Sequence, residues 1–584
     1  MNEDILLQVR KPGRYIGEEW NIARKDFDAS KIKFALCFPD LYEIGMSNLG
    51  LRIMYGLLNR LPEVCCERFF SPAQDMENIM RNARQEIVSL ENKRKLRDFD
   101  LVGFSLGYEL HYTNVLNILE LGGIPLFQSM RDHHYPLIIA GGPATLNPEP
   151  MHEFFDAFVI GEGEEVICEI LDVYSRFQHQ FKAGRIHKTD LLIMLSQIEG
   201  VYVPSLYEVE YNPQGAIGAF KPKVKDAGQR VRKRFIKDFN NAYFPVEWLV
   251  PYIEIIHDRI TLELMRGCPH QCRFCQARLQ YHPFRKREIE KVMELAQASY
   301  RHTGYEEISL AGLSVSDYPG IETLVGLLIN AFKEKCVSIS FPSIKPRALV
   351  GNLSSLVASI RKTGLTFAPE AGTEKLRRVL NKKFESDNFF TALEEAYRAG
   401  YQRVKLYFMI GIPGETEEDL DGIIDFANRT SRLRKTTGSS SARVALSINT
   451  LIPKPHTPFQ WFSIHDLPGI AGKQSYLKKK ITNKNIRVTF HNRQMSFIEG
   501  VLARGDRRLS RVLYAVFKRG SRFDAWEDNF VFERWMAAFK ESGVDPEFYV
   551  RSRLTEEILP WDFLDIGIDK QCLLEEYNKA IAAT

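Results

Sequence analysis

The sequence predicts an α/β protein in three successive parts: an open, doubly wound parallel sheet, a partial (β/α)6 barrel, and a mainly α region. Short apolar runs ending in glycine and small polar residues alternate with helical patterns through the first part. A second series of the same kind follows after an irregular stretch. The alternation is then lost, which predicts the last part.

Taken in order, "KIKFALCFPD" (31–40), "FDLVGFSLG" (99–107), "YPLIIAGGPA" (135–144) and "DAFVIGEGE" (156–164) read as buried strands. "NLGLRIMYGLLNRL" (48–61) and "YTNVLNILELGG" (112–123) read as helices between them. Such units build a flavodoxin-like sheet over residues 1–169, with ligands expected at the C-terminal ends of its strands. Residues 170–255 read as a connecting subdomain. There "VYVPSLYEVEYN" (201–212) alternates as a hairpin strand does, and "KVKDAGQRVRKRF" (223–235) is a basic run of the kind that usually forms a solvated face. The barrel is assigned to 256–464, with strands over 259–267, 306–314, 337–344, 364–372, 403–414 and 442–453 and helices such as 389–400 between them. Chemistry is expected where those strands end. Residues 465–584 form the mainly α region, with helical patterns in "FSIHDLPGIAGKQSYLKKKI" (462–481) and "NFVFERWMAAFKESG" (529–543).

The chain has 584 residues, 45% hydrophobic and 26% charged, enough to build several cores. A net charge of +4 is too small to mark a dedicated nucleic-acid binder. The start, "MNEDILLQVRKPGRY", lacks the apolar stretch of a signal peptide, and no apolar run reaches the ~18 residues of a membrane span. Nine cysteines without a secretory signal predict reduced thiols and a cytoplasmic protein.

Three of those cysteines cluster in "RGCPHQCRFCQARLQYH" (266–282), directly after the first barrel strand: Cys268, Cys272 and Cys275. The other six show no comparable grouping. Zinc at this site needs a fourth ligand, which His270 or His282 can supply. A [4Fe–4S] cluster on three thiolates instead leaves one iron open to the amino and carboxylate groups of a small molecule.

The C-x3-C-x2-C loop, with Phe274 at the aromatic position before the last cysteine, resembles the signature of the radical S-adenosylmethionine (SAM) superfamily. The resemblance implies a [4Fe–4S] cluster on Cys268, Cys272 and Cys275, and S-adenosylmethionine as cosubstrate. Reductive cleavage then gives methionine and a 5′-deoxyadenosyl radical that removes hydrogen from an unactivated carbon. "FMIGIPGET" (408–416) is similar to the superfamily's G-x-I-x-G segment, which implies adenine contacts at Gly411 and Gly414. Glu370 in "FAPEAG" is implied for the ribose hydroxyls and Lys405 for the methionyl carboxylate. Ser314 is implied for the amino group, in "AGLSVSD" (311–317), where the family often has Gly-Gly-Glu. On local sequence alone, Glu370 is equally a helix-N-terminal acid and Lys405 an ordinary strand lysine.

The first domain resembles the cobalamin-binding domain of one branch of these enzymes, whose frame is D-x-H-x-x-G, then S-x-L, then Gly-Gly. This chain has Asp40, Tyr42 and Gly45, then Ser105, then Gly141 and Gly142. Tyr42 stands where a histidine would ligate cobalt from below, and a neutral phenol is a poor substitute for imidazole. "CFPDLYEIGMSNLGLRIMY", "TFAPEAGTEKLRRVLNK", "LIPKPHTPFQWF", "EGVLARGDRR" and "LPWDFL" extend the resemblance to a poorly characterised family of cobalamin-domain radical enzymes. It implies cobalamin-dependent methyl transfer, an electron donor such as a flavodoxin or ferredoxin, and a substrate that is a small molecule, RNA or protein. Two alternatives stay open. One is a cobalamin-free radical enzyme that inserts sulfur or rearranges carbon. The other is a cluster-carrying RNA-binding or assembly protein, suggested by "RVRKRF" (230–235), "LKKKITNKNIR" (477–487) and "RGDRRLSR" (504–511) near Phe490 and Phe497.

Overall fold

Parallel strands buried on both faces read as continuous apolar runs, and the strand Ile32–Phe38 is such a run. It sits inside a six-stranded sheet with spatial order Val64–Phe70, Ile32–Phe38, Leu101–Ser105, Leu137–Gly141, Ala157–Val159, Val201–Tyr202. The first five strands are parallel and the last is antiparallel. The computed structural model describes residues 3–340, 365–438 and 440–584.

The strand Val64–Phe70 is absent from the sequence reading because "VCCERFF" carries Glu67 and Arg68 in its middle. Both charges are buried and matched. Arg68 pairs with Glu19 at 2.8 Å and Glu91 at 2.7 Å, and Glu67 accepts from Asn92 at 2.6 Å. The helix Gly163–Lys182 runs through position 169, and the edge strand Val201–Tyr202 carries the sheet beyond it. The rest of the 201–212 segment forms a hairpin, Tyr207–Tyr211 against Ile217–Pro222.

The central strands form two parallel sheets among the described residues: Ile260–Glu263, Glu307–Ala311 and Ser338–Ser340, then Leu365–Glu370, Arg403–Ile410, Arg443–Thr450 and Ile486–Phe490. The end of the run 337–344 lies outside the described residues. The region 465–584 is mainly helical, and it also gives this sheet the strand Ile486–Phe490, whose short "IRVTF" pattern sits in basic surroundings. In Arg403–Ile410 the side chains alternate. Val404, Leu406, Phe408 and Ile410 are buried in a core shared with helices Ser386–Arg398 and Glu417–Leu433, which leaves Arg403, Lys405, Tyr407 and Met409 on the other face.

Helices Arg493–Arg504, Leu509–Lys518 and Phe532–Ser542 share one hydrophobic core with the N-terminal sheet. Polar contacts fix the seam. Thr113 donates to Asp524 at 2.6 Å, the Trp535 indole donates to the same carboxylate at 3.1 Å, and the Phe523 amide donates to Asn114 at 2.7 Å. Among the described residues no helix is long and apolar enough to cross a membrane. Replacing Asp524 with alanine strands two buried donors, each costing ~1–3 kcal/mol. We expect Asp524→Ala to lower unfolding stability in urea by ~2–4 kcal/mol; a loss under ~0.5 kcal/mol would mean the seam does not depend on this carboxylate.

Candidate active site

The thiol loop begins where glycine is obligatory. Gly267 has φ +81°, and a Cβ there would lie 2.8 Å from the Phe284 Cα and 2.9 Å from two carbonyl oxygens. Cys268, Cys272 and Cys275 follow, all half-buried and none in a disulfide. Between the last two lies Arg273, only 7% exposed. Its amide donates to the Leu380 carbonyl at 3.0 Å. Its guanidinium donates to the carbonyls of Arg378 at 2.7 Å and Val379 at 2.9 Å, and to Glu576 at 2.9 Å. The carbonyls close the helix Glu374–Val379, whose negative end suits a cation. Glu576 belongs to the C-terminal helix Lys570–Ile581. The short helix Gln276–Gln280 after the thiols is fastened in the same way: buried Lys233 donates to the carbonyls of Leu279, Gln280 and His282 at 2.8, 3.0 and 2.9 Å. Burial pulls Lys233 down to about 8.

Glu370, at the end of the strand Leu365–Glu370, has φ +68° and pairs with Lys382 at 3.1 Å. Burial raises the Glu370 carboxyl against the pull of Lys382. Burial likewise pushes the Cys272 thiol up to about 11, with Lys382 the main opposing charge. For Lys382 itself, burial is outweighed by Glu370 and Cys272, and its pKa is raised. Lys382 escapes sequence reading because "LNKKFES" matches no motif; the one available signal was the need of a buried Glu370 for a cation.

Phe274 packs with Ala371, Met409 and Ile412, and with Ala580 and Ala583 from the C-terminal segment. Gly411 and Gly414 both have positive φ, +83° and +73°. The Gly411 amide donates to Glu415 at 2.9 Å, Glu415 pairs with Lys473 at 2.5 Å, and the Cβ direction of Gly414 points at Thr584. Ser314 donates to Asp317, which also holds His270 Nε2 at 2.9 Å. Lys405 is a correction: it is exposed near the start of its strand, with Nζ 4.6 Å from the Tyr407 ring centroid. Five residues of strand separate it from Ile410, roughly 16 Å, so it does not join the thiols.

Tetrahedral zinc, with Zn–S bonds of ~2.3 Å, would draw its ligand atoms to within ~4 Å of one another. Among the described residues, the one group of three metal-capable side chains whose ligand atoms all lie within 4.8 Å is Asp132, His133 and His134. The three thiol sulfurs do not all lie within 4.8 Å of one another, and His270 is engaged by Asp317.

Two family models match the chain, "Radical SAM proteins, N-terminal" over residues 50–204 and "Radical SAM superfamily" over residues 262–427. The chain carries a radical SAM domain over residues 262–427, preceded by a region that matches the N-terminal part of radical SAM proteins. An uncharacterized protein of Methanocaldococcus jannaschii is 28% identical over 520 residues, covering 87% of this chain and 97% of that one. A tRNA-2-methylthio-N(6)-dimethylallyladenosine synthase of Petrotoga mobilis is 24% identical over 216 residues, covering 35% of this chain and 49% of the synthase. Among solved structures, the cobalamin-dependent radical SAM enzyme OxsB, with aqua-cobalamin and S-adenosylmethionine bound, superposes with a TM-score of 0.46 at 11% identity, over 94% of this chain and 79% of OxsB.

In this radical SAM enzyme a cavity of about 460 Å³ lies between the C-terminal edge of the N-terminal sheet and the residues that flank the thiol loop. Ser105, Gly141 and Gly142 line it, over an apolar floor of Phe34, Leu36, Ile139 and Val159. Glu263, Arg266, Gln280 and Tyr281 line it from the barrel side. The two sides are clamped by buried ion pairs: Arg266 with Glu164 at 2.5 Å and Glu162 at 3.3 Å, and Arg285 with Glu162 at 2.7 Å. Asp40, Tyr42 and Gly45 are not among the lining residues. The Tyr42 hydroxyl donates to buried Glu19 at 2.8 Å, so the phenol is turned into the Glu19–Arg68 network. Asp40 accepts from Trp526 at 3.0 Å and pairs with His111 at 3.2 Å, while Gly45 lies against the Phe70 ring.

The structure corrects the reading of the run 223–235 as solvated at its end, and it engages the arginines of "RGDRRLSR" within the fold. In "RVRKRF", Lys233 is buried and Arg234 pairs with Glu165 and Glu169, both at 2.8 Å. In "RGDRRLSR", Arg504 is buried against carbonyls, and Arg507 and Arg508 pair with Glu149 and Asp506 at 2.7 and 2.6 Å.

Arg273 generates the test of this site. Arg273→Met removes a charged donor from three sets of acceptors, at ~2–4 kcal/mol. We expect a folded protein that retains less than half the iron of the wild type after gel filtration, with Arg273→Lys intermediate because it lacks the planar fork. Full iron retention in Arg273→Met would show that the loop does not need this clamp.

Proposed function

We propose that this radical SAM enzyme holds a [4Fe–4S] cluster on Cys268, Cys272 and Cys275, cleaves S-adenosylmethionine reductively, and modifies an unactivated carbon of its substrate. When bound, the cluster supplies one electron and one iron without a protein ligand. The observation that carries the reading is the set of three half-buried thiols in one loop, clamped through Arg273 at the barrel's C-terminal mouth. Lys382 and Glu370 offer opposite charges beside them. Lys382, in place of Lys405, would meet the methionyl carboxylate, and Glu370 the ribose hydroxyls. Phe274, Met409 and the C-terminal segment close the site with apolar surface, which excludes water from a radical reaction.

The cavity beside Ser105, Gly141 and Gly142 supports cobalamin as a second cofactor. Its apolar floor and glycine rim suit a flat heteroaromatic group such as the nucleotide end of cobalamin. When bound, cobalamin supplies a methyl-carrying cobalt, which makes methyl transfer the favoured reaction. No histidine is among the lining residues and Tyr42 is turned toward Glu19, so the cavity itself offers cobalt no nitrogen ligand. A flavodoxin or ferredoxin fits the need for one-electron reduction.

Anaerobic reconstitution with iron, sulfide, S-adenosylmethionine and a reductant tests the proposal. The wild type is expected to bind about four irons and to form methionine and 5′-deoxyadenosine. The variant Cys268→Ala/Cys272→Ala/Cys275→Ala should lose both. A variant that kept its iron and its cleavage products would overturn the assignment.

A further inference from the structure

The second barrel sheet carries unneutralised positive charge at the end away from the thiols. Arg403, Lys405, Arg443, Lys484 and Arg487 line one open cavity of about 680 Å³, together with Thr366 and Asn485, and among the described residues no carboxylate lines it. All five cations are exposed, and among the described residues none of them has an acidic partner. Lys480, four residues before Lys484, does pair with Asp421 at 2.9 Å.

The crowding is built into the strand register. Arg403 and Arg443 are direct cross-strand partners, and Arg487 sits opposite Ala445 on the next strand. Neighbouring strands lie ~4.8 Å apart, and like charges placed directly opposite repel. A bound anion would offset that repulsion. Three strands set the cations across about 10 Å, wider than a single phosphate. Arginine forks match phosphate oxygens in pairs.

Orientation relates the patch to the chemistry. Val404, Val444 and Ile486 pack in the core with the helices, so the cations project from the opposite face. Tyr407 and Met409 continue that face along the same strand, and Met409 packs with Phe274 of the thiol loop. A ligand seated on the cations therefore lies in line with the thiols, about 20 Å away along the strand.

We infer that this patch binds two or three phosphate groups of the substrate, which enters the barrel from the end opposite the thiol loop. The inference rests on the radical SAM reading for its direction of approach, but not for the binding itself. The shared chemistry is a phosphate-bearing chain, supplied either by single-stranded RNA or by a nucleotide.

The test titrates the full-length chain, with and without iron, against a labelled single-stranded RNA of about 12 nucleotides and separately against ATP and inorganic pyrophosphate, over a series of salt concentrations. Two or three phosphate contacts predict a log–log salt slope of about −1.4 to −2.1 for the RNA. Arg403→Ser/Arg443→Ser/Arg487→Ser should weaken binding at least tenfold and remove most of that slope, with an unfolding temperature no lower than that of the wild type. Lys478→Ser/Lys479→Ser, two exposed lysines at the end of the helix Leu467–Lys480, should change affinity less than twofold. A response with RNA identifies a nucleic-acid substrate, and a response with ATP or pyrophosphate alone identifies a nucleotide. If the cavity variant binds all three probes as well as the lysine variant does, the inference is overturned. Failure of the wild type to cleave S-adenosylmethionine would refute the radical reading while leaving the binding result intact.

Discussion

A buried guanidinium inside the thiol loop is the interaction on which the rest of the site depends. Arg273 cannot be left unpaired away from water, so its side chain draws together the acceptors it needs: the last carbonyls of the helix Glu374–Val379 and a carboxylate of the C-terminal helix. Three segments far apart in sequence are thereby fixed around Cys268, Cys272 and Cys275. A cluster that must stay in a low-dielectric site while it passes an electron needs such a frame, because loop thiols held only by local turns would not keep their spacing. The two flanks follow the same logic. Lys233 ties down the helix after the thiols, and Arg266 and Arg285 clamp the first barrel strand to Glu162 and Glu164 of the N-terminal domain.

Much of this was legible in the sequence. The alternation of apolar runs and helical patterns anticipates the parallel strands of both α/β regions, and the cysteine spacing identifies the loop. What was not legible depends on long-range charge pairing. The strand Val64–Phe70 hides behind Glu67 and Arg68, whose partners lie at Glu19, Glu91 and Asn92. Lys382 has no motif, yet it lies between Glu370 and Cys272. Lys405 has the right residue type on the right strand face, but the strand continues past it for five residues, which carries the thiol end out of its reach. Tyr42 occupies the cofactor position of a sequence frame, while its hydroxyl is committed to Glu19.

The same distinction governs the basic segments. In a linear reading, runs such as "RVRKRF" and "RGDRRLSR" look like solvated or nucleic-acid-binding surface. Arg234 instead pairs with Glu165 and Glu169 of the helix Gly163–Lys182, Arg507 reaches Glu149 across the seam between the N-terminal domain and the C-terminal helices, and Arg508 pairs with neighbouring Asp506. The charges left without partners around the barrel's N-terminal end come from separate strands and gather only when the sheet forms. Charge count along the chain is therefore a poor guide to where cations remain unpaired in the fold.

The central claim is that the three thiols hold a four-iron cluster with one iron open to S-adenosylmethionine. Mössbauer spectroscopy of the protein reconstituted with ⁵⁷Fe reads this directly. The account predicts a [4Fe–4S] spectrum in which about one quarter of the iron signal shifts to a higher isomer shift when S-adenosylmethionine is added, as expected for a single site gaining nitrogen and oxygen ligands. Four irons that do not respond to S-adenosylmethionine, or a site that takes up zinc in preference to iron, would contradict it.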